Sequence, residues 1–118
     1  MSTVRDFYTH MAETLKIPVQ LLDFNGAPID VEDHLVGFAT SLELATEALE
    51  LLSSANSSQI SVTNVNTAIV EVTLFPTANA GYVDDGTHQY QLRATHNDTD
   101  EVTVFLEGKL FIRPSLFD

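Results

Sequence analysis

Apolar and polar residues alternate along most of this chain, in short runs separated by turn-forming sequences. Such period-two alternation places apolar side chains on one face of an extended strand and polar side chains on the other. The runs are 16–21, 36–42, 60–63, 69–74, 89–95, 102–106 and 109–113. Asn25-Gly26 and the polar segments 64–67 and 96–100 supply turns between them. The pattern predicts an all-β fold in which two antiparallel sheets pack as a β-sandwich.

Two segments favour helix when they are considered locally. Residues 76–81 begin with proline and end with glycine, which predicts one short helical turn. Residues 41–52 are rich in Ala, Leu and Glu, which are strong helix formers. One helical face of this segment carries Leu42, Ala45, Leu49 and Leu52. A strand interpretation needs a turn near 45–46, where no Gly, Asn or Asp supports one, so the local pattern favours a helix and leaves a strand open.

Length and charge narrow the class of protein. The 118 residues fit one domain, which we place at 1–118. Seventeen acidic residues face five basic ones, and the net charge of −12 repels nucleic acid and anionic membranes. No apolar run approaches the roughly 20 residues that span a bilayer, and the N-terminus does not resemble a signal peptide. We therefore expect neither a nucleic-acid nor a membrane partner.

Motifs of catalytic and cofactor-binding sites are missing from the sequence. It contains no Gly-x-Ser-x-Gly elbow and no glycine-rich phosphate loop, and the absence of cysteine excludes thiolate chemistry. His88 and His96 could converge from adjacent strands, but no third metal ligand is specified. The acidic loop 97–101 offers fewer oxygen ligands than calcium takes. We expect a non-enzymatic protein with no catalytic residue, no cofactor and no metal site.

Several aromatic and apolar residues fall outside the predicted core. Phe105 and Phe111 lie opposite the apolar faces of their strands, which predicts a cross-strand aromatic pair on the outer surface. Leu116 and Phe117 belong to a tail that docks either on a neighbour or on the domain itself. Residues 1–10 are predicted to form a swapped or docking strand that adds to a neighbour's sheet edge. The candidate interface residues are Phe7, Tyr8, Phe105, Phe111, Leu116 and Phe117.

The order of these motifs resembles a known group of domains. An aromatic first strand at 5–8 is followed by 13–21 and by the turn sequence Asp-Phe-Asn-Gly-Ala-Pro-Ile-Asp at 23–30. A Gly-Thr-x-x-Tyr-x-Leu strand follows at 86–92, and a closing hairpin with Leu-x-Gly and a final proline spans 105–114. In this order and spacing the chain resembles the small immunoglobulin-like β-sandwich domains of tailed-phage and prophage structural proteins, among them the N-terminal domain of phage baseplate upper proteins.

The resemblance implies both a fold and a function. It implies an immunoglobulin-like antiparallel β-sandwich with a strand, not a helix, over 48–53. It also implies a virion structural protein, made in the host cytoplasm, that serves in a baseplate, in tail-fibre attachment or in capsid decoration. Such a protein acts by assembly with other virion proteins and as a homo-oligomer. The alternative is a carbohydrate- or receptor-binding module on the same scaffold, which exposed aromatic rings beside Asp, Asn and Gln would indicate.

Overall fold

The structure is a computed structural model that describes residues 3–42, 50–77, 82 and 86–116. These residues form nine β-strands and one short 3-10 helix, which spans Val31–Asp33. In chain order the strands are β1 (Thr3–Val4), β2 (Phe7–His10), β3 (Leu15–Gln20), β4 (His34–Leu42), β5 (Glu50–Ser53), β6 (Ile60–Asn64), β7 (Ile69–Leu74), β8 (Gly86–His96) and β9 (Val102–Arg113). The all-β prediction is confirmed.

The strands form two sheets that pack as a sandwich. The large sheet has the order β1-β9-β8-β4-β5, and β2 also pairs with β9. The small sheet has the order β3-β7-β6. Every pair of these strands is antiparallel except that β1 and β2 run parallel to β9. The predicted sandwich is therefore confirmed, with the difference that the N-terminal strands make the large sheet mixed.

The core lies between the two sheets. Alternate residues of β4, β7 and β8 are buried, as the period-two pattern predicts. The largest fully buried apolar side chains are Phe38, Ile17, Leu21, Ile60, Leu74, Leu92, Leu110 and Ile112. Burying one such side chain contributes about 1.5–3 kcal/mol, so this shared core is the main force that holds the sheets together.

Of the two alternatives left open for 41–52, helix and strand, the structure has strand at both described ends. The first two residues of this segment belong to β4 and its last three belong to β5, while 43–49 lie outside the described residues. Leu52 pairs with Phe38 across the two strands and is buried in the core. Burial of Leu52 and pairing with β4 outweigh helix propensities, which differ by at most about 0.7 kcal/mol per ordinary residue. The strand implied by the resemblance is confirmed for 50–53.

The helical turn predicted over 76–81 is not found at its first two residues, which have no regular secondary structure. The remaining residues, 78–81, lie outside the described part of the chain. A 3-10 helix occurs at Val31–Asp33 instead. The Asp30 carboxylate caps it by accepting a hydrogen bond of 3.1 Å from the backbone N–H of Glu32.

Candidate functional site

The outer face of the large sheet is the surface that points away from the small sheet. Three of the chain's five basic residues lie there, because they alternate with buried positions on β8 and β9. Arg93 pairs in register with Gly37, and Lys109 pairs with Gln89. Arg113 lies at the end of β9 beside β2. In a chain of net charge −12 the outer face thus carries three positive charges, with the Glu107 carboxylate on the same face.

Tyr8 and Phe111 form an aromatic pair on this face, in which Tyr8 is exposed and Phe111 is half-buried. The parallel register of β2 and β9 places the two residues side by side. Their rings stack at a centroid distance of 4.8 Å with an interplanar angle of 14°, and Tyr8 is 72% exposed. Phe7 lies on the opposite face of β2, where it is half-buried and packs 5.5 Å from the ring of Tyr90. The exposed ring of Tyr8, stacked on the half-buried Phe111, is therefore available to a partner, whereas Phe7 packs against the core.

Phe105 does not belong to this pair, and its prediction as an outward residue is wrong. It is 8% exposed, and it lies on the same strand as Phe111, because β9 continues through the segment predicted to be a closing hairpin. The pairing of β8 with β9 shifts register between Leu92 and Arg93, so that β9 holds one extra residue there. Such a bulge breaks the alternation of faces, and both Phe105 and Leu106 are buried.

The N-terminal arm (Thr3–His10) is fastened to β9 of its own chain. The backbone N–H of Arg5 donates to the carbonyl of Glu107 at 2.9 Å, and the backbone N–H of Lys109 donates to the Asp6 carboxylate at 2.9 Å. Between these two bonds lies Gly108, where an added Cβ would collide with the backbone of Arg5. Because the arm pairs within its own chain here, its predicted exchange with a neighbour stays a prediction.

Tyr90 holds the arm from the core side. Its buried phenol donates a hydrogen bond to the backbone carbonyl of Arg5. Its ring stacks on Phe38 at 5.3 Å. Burial, with a smaller contribution from the negative charge of Asp6, raises the pKa of Tyr90 to about 12. The phenol is therefore a permanent donor at physiological pH, and it ties the arm to the core.

Leu116 is 94% exposed in the tail that follows β9. It is the described residue of the predicted tail interface, since Phe117 lies outside the described residues. Any contact that removes so exposed an apolar side chain from water lowers the free energy.

A groove of about 370 Å³ crosses the outer face over β4, β5 and β8. Its floor includes Gly37 and Ala39, which present little side chain to the outer surface. Leu51, 71% exposed, stands on the β5 side, and Arg93 stands on the β8 side. Within the described residues no carboxylate lies within ion-pair distance of the Arg93 guanidinium. The groove thus combines apolar surface with an uncompensated positive charge.

Sequence reasoning did not find this groove, although Gly37 gives a signal for it. Glycine is a poor strand residue, and inside a strand it often marks close approach of a ligand or another backbone. Gly37 lies mid-strand in β4, and an added Cβ there would meet only the Leu52 carbonyl oxygen, at an ordinary 3.8 Å. Its backbone conformation and the fold around it therefore do not require glycine.

The histidines do not converge in the way considered from the sequence. His88 and His96 lie at opposite ends of β8, and the ring of His96 instead meets that of His34 at 4.9 Å. His88 is fully buried 5.3 Å from the ring of Tyr82, and neither of its ring nitrogens has a hydrogen-bond partner among the described residues. Burial lowers the pKa of His88 below its ordinary value, so the imidazole is neutral near pH 7.

Residues 3–42, 50–77, 82 and 86–116 contain no group of three or more His, Asp or Glu side chains placed to hold a metal ion. The same residues include no helix that is long and apolar enough to cross a membrane. No family model matches this chain, and no curated protein shows significant similarity to it.

Proposed function

We propose that this chain is a non-enzymatic structural protein of a tailed-phage virion that acts by protein–protein assembly, in a baseplate, in tail-fibre attachment or in capsid decoration. The observation that carries the proposal is the Tyr8–Phe111 stack between the arm and β9, in which the ring of Tyr8 is exposed. Aromatic residues are enriched in the cores of protein interfaces, where they bury large areas at low entropic cost. The resemblance of the ordered motifs to phage sandwich domains supports the same assignment.

The edge position of the aromatic stack suits an assembly role. The arm is the edge strand of the large sheet next to β9 and therefore leaves one side of β2 without a strand partner among the described residues. A neighbour can add a strand at such an edge while its side chains contact Tyr8 and Phe111 on the outer face. This geometry supports a homo-oligomer or a contact with another virion protein.

The test is mass spectrometry of purified particles from the phage or prophage that encodes the chain. The proposal predicts the chain at a fixed copy number per particle and predicts that the Y8S/F111S variant, folded by circular dichroism, is incorporated at a reduced level. Val4→Ser removes an exposed apolar residue of the same arm outside the stack and serves as the matched control. Absence of the wild-type chain from particles would refute the proposal.

A second candidate is a carbohydrate- or receptor-binding module on the same outer face. The observation that favours it is the exposed ring of Tyr8 on a face that also carries the amide of Gln89, which donates to the Ser41 hydroxyl at 3.0 Å. Sugars stack on exposed rings and hydrogen-bond to amides. Glycan-array binding that is lost in Tyr8→Ser and retained in Val4→Ser would favour this function over assembly.

A further inference from the structure

We propose that the groove over β4, β5 and β8 binds the tail segment Leu116-Phe117-Asp118 of a second copy of the chain. This inference deepens the proposed function, on which it rests, by naming the partner and the site of one assembly contact. The apolar side chains of the segment lie over Gly37 and Ala39, and the Asp118 carboxylate pairs with Arg93.

The groove has the features of a site with a missing occupant. Leu35 and Leu51 are exposed at its margin although both are large apolar residues. Between them Gly37 keeps the floor bare at a position where the fold accepts a larger residue. A mid-strand glycine weakens a strand by roughly 0.5–1 kcal/mol relative to alanine, a cost that close approach of a second chain explains.

Charge selects an acidic occupant. Arg93 is exposed, and the described residues provide it with no carboxylate. A guanidinium at the wall of an apolar groove favours a ligand that carries a carboxylate beside its apolar groups. In the tail, two large apolar residues stand directly before Asp118, and Leu116 is almost completely exposed.

The tail that binds in the groove must come from another copy, because a tail cannot reach the groove of its own domain. The tail leaves β9 beyond Ile112, which is opposite Gly86, whereas Arg93 lies seven residues farther along β8. At about 3.3 Å per residue this separation is about 23 Å, and the groove lies two strands to the side, about 10 Å away. The five residues from Pro114 to Asp118 span at most about 17 Å. The tail is therefore too short to occupy the groove of its own domain.

The resulting contact joins two different surfaces, a tail on one copy and a groove on the next. Such a head-to-tail contact closes into a ring when the rotation between neighbours closes, and it otherwise continues as a filament. Either outcome builds a repeating assembly from a chain of net charge −12, because Asp118 of the tail meets the positive charge of Arg93 in the groove.

The test measures binding of a labelled peptide with the sequence of residues 114–118 to the full chain by fluorescence anisotropy. The peptide ends in an amide, so that Asp118 is its only charge. We expect saturable binding with a dissociation constant below about 1 mM. Gly37→Val fills the floor with a strand-favouring side chain and is expected to weaken binding at least tenfold while the melting temperature stays unchanged or rises. Sedimentation velocity should show less self-association for this variant.

A double-mutant cycle tests the ion pair. Arg93→Gln and the D118N peptide should each weaken binding several-fold, and together they should weaken it no more than either change alone. Arg113→Gln removes the same charge from the same face outside the groove and should leave binding unchanged. This cycle keeps the proposal falsifiable if Gly37→Val fails to fold.

Three results would overturn the proposal. They are no saturable binding by the wild-type chain, equal binding by the folded Gly37→Val variant, and equal binding of a scrambled peptide in which Asp is replaced by Asn. None of these results bears on whether the chain is found in particles, so failure of the groove assignment is distinguishable from failure of the proposed function. Conversely, peptide binding by a chain absent from particles would refute the virion role alone.

Discussion

Replacement of Gly108 by alanine should separate the N-terminal arm from β9 around this residue while the sandwich stays folded. At this position β9 passes directly against the backbone of the arm. An added Cβ would lie 2.8 Å from the carbonyl carbon of Arg5, closer than non-bonded carbon atoms approach. The obstacle is backbone, so no side-chain rotation relieves it. β9 and the arm must therefore separate locally.

The cost of this substitution is limited by what the arm contributes. Three hydrogen bonds fasten the arm at this point: Arg5 to Glu107, Lys109 to Asp6, and Tyr90 to Arg5. At about 1 kcal/mol each, their loss amounts to about 3 kcal/mol, which matches the upper range for an overpacked site. For a domain of this size we expect the melting temperature to fall by about 10 °C.

Thermal unfolding followed by circular dichroism measures this change, and hydrogen exchange locates it. The backbone amides of Arg5 and Lys109 should lose protection in Gly108→Ala, while those of β7 keep it. Gly37→Ala is the matched control, because an added Cβ there meets only an oxygen at 3.8 Å; its stability should be unchanged or slightly raised. If Gly108→Ala melts within about 2 °C of the wild type and protects Arg5 equally, the close approach assigned to Gly108 is wrong.

Three further predictions concern buried groups. Because burial lowers the pKa of His88 from 6.5, the folded state binds its proton less readily than the unfolded chain, so stability is lost as the pH falls below 6.5. In urea unfolding between pH 6.5 and 5, His88→Leu should reduce the dependence of the unfolding free energy on pH by up to about 1.4 kcal/mol per pH unit. The same dependence on pH in the variant and the wild type would contradict this. The raised pKa of Tyr90, about 12, predicts that its contribution to stability is present below pH 10 and declines as the pH rises toward 12. Tyr90→Phe should remove the tyrosine absorbance transition near pH 12 and cost about 1 kcal/mol, since the Arg5 carbonyl loses its partner; a persisting transition would assign it to another tyrosine. Leu52→Ala should destabilise the fold by about 2–5 kcal/mol and Leu51→Ser by less than about 0.5 kcal/mol in denaturant unfolding, and equal effects would contradict the burial pattern of β5.

The alternation of apolar residues predicted the fold because burial in a sandwich is a local, period-two property. Residues 69–74 were predicted as a strand and form β7 with the same bounds, and every second residue of that strand is fully buried. The loops predicted at 64–67 and 96–100 do join paired neighbouring strands. The local sequence is enough to predict such hairpins, because a hairpin is specified by its turn residues and by the two amphipathic strands beside them.

The features that sequence failed to predict depend on register between distant strands. Phe105 is buried because β9 bulges opposite β8, and no local pattern reports a bulge. The strand at 50–53 exists because Leu52 meets Phe38, a contact that helix propensity does not include. Of the candidate interface, Tyr8 and Leu116 are exposed as expected, and the Tyr8–Phe111 stack arises from a parallel pairing that spans more than a hundred residues of sequence.

The parallel pairing of the arm with β9 also determines how the domain bears mechanical load. Tension applied between the N-terminal end of the arm and the C-terminal end of β9 pulls two parallel strands in opposite directions along their length. The hydrogen bonds of the ladder are then loaded together in shear, whereas an antiparallel terminal pair opens one bond at a time. The hydrogen bonds on either side of Gly108 and the bond from the Tyr90 phenol share that load, so we expect the arm and β9 to resist being pulled apart along their length.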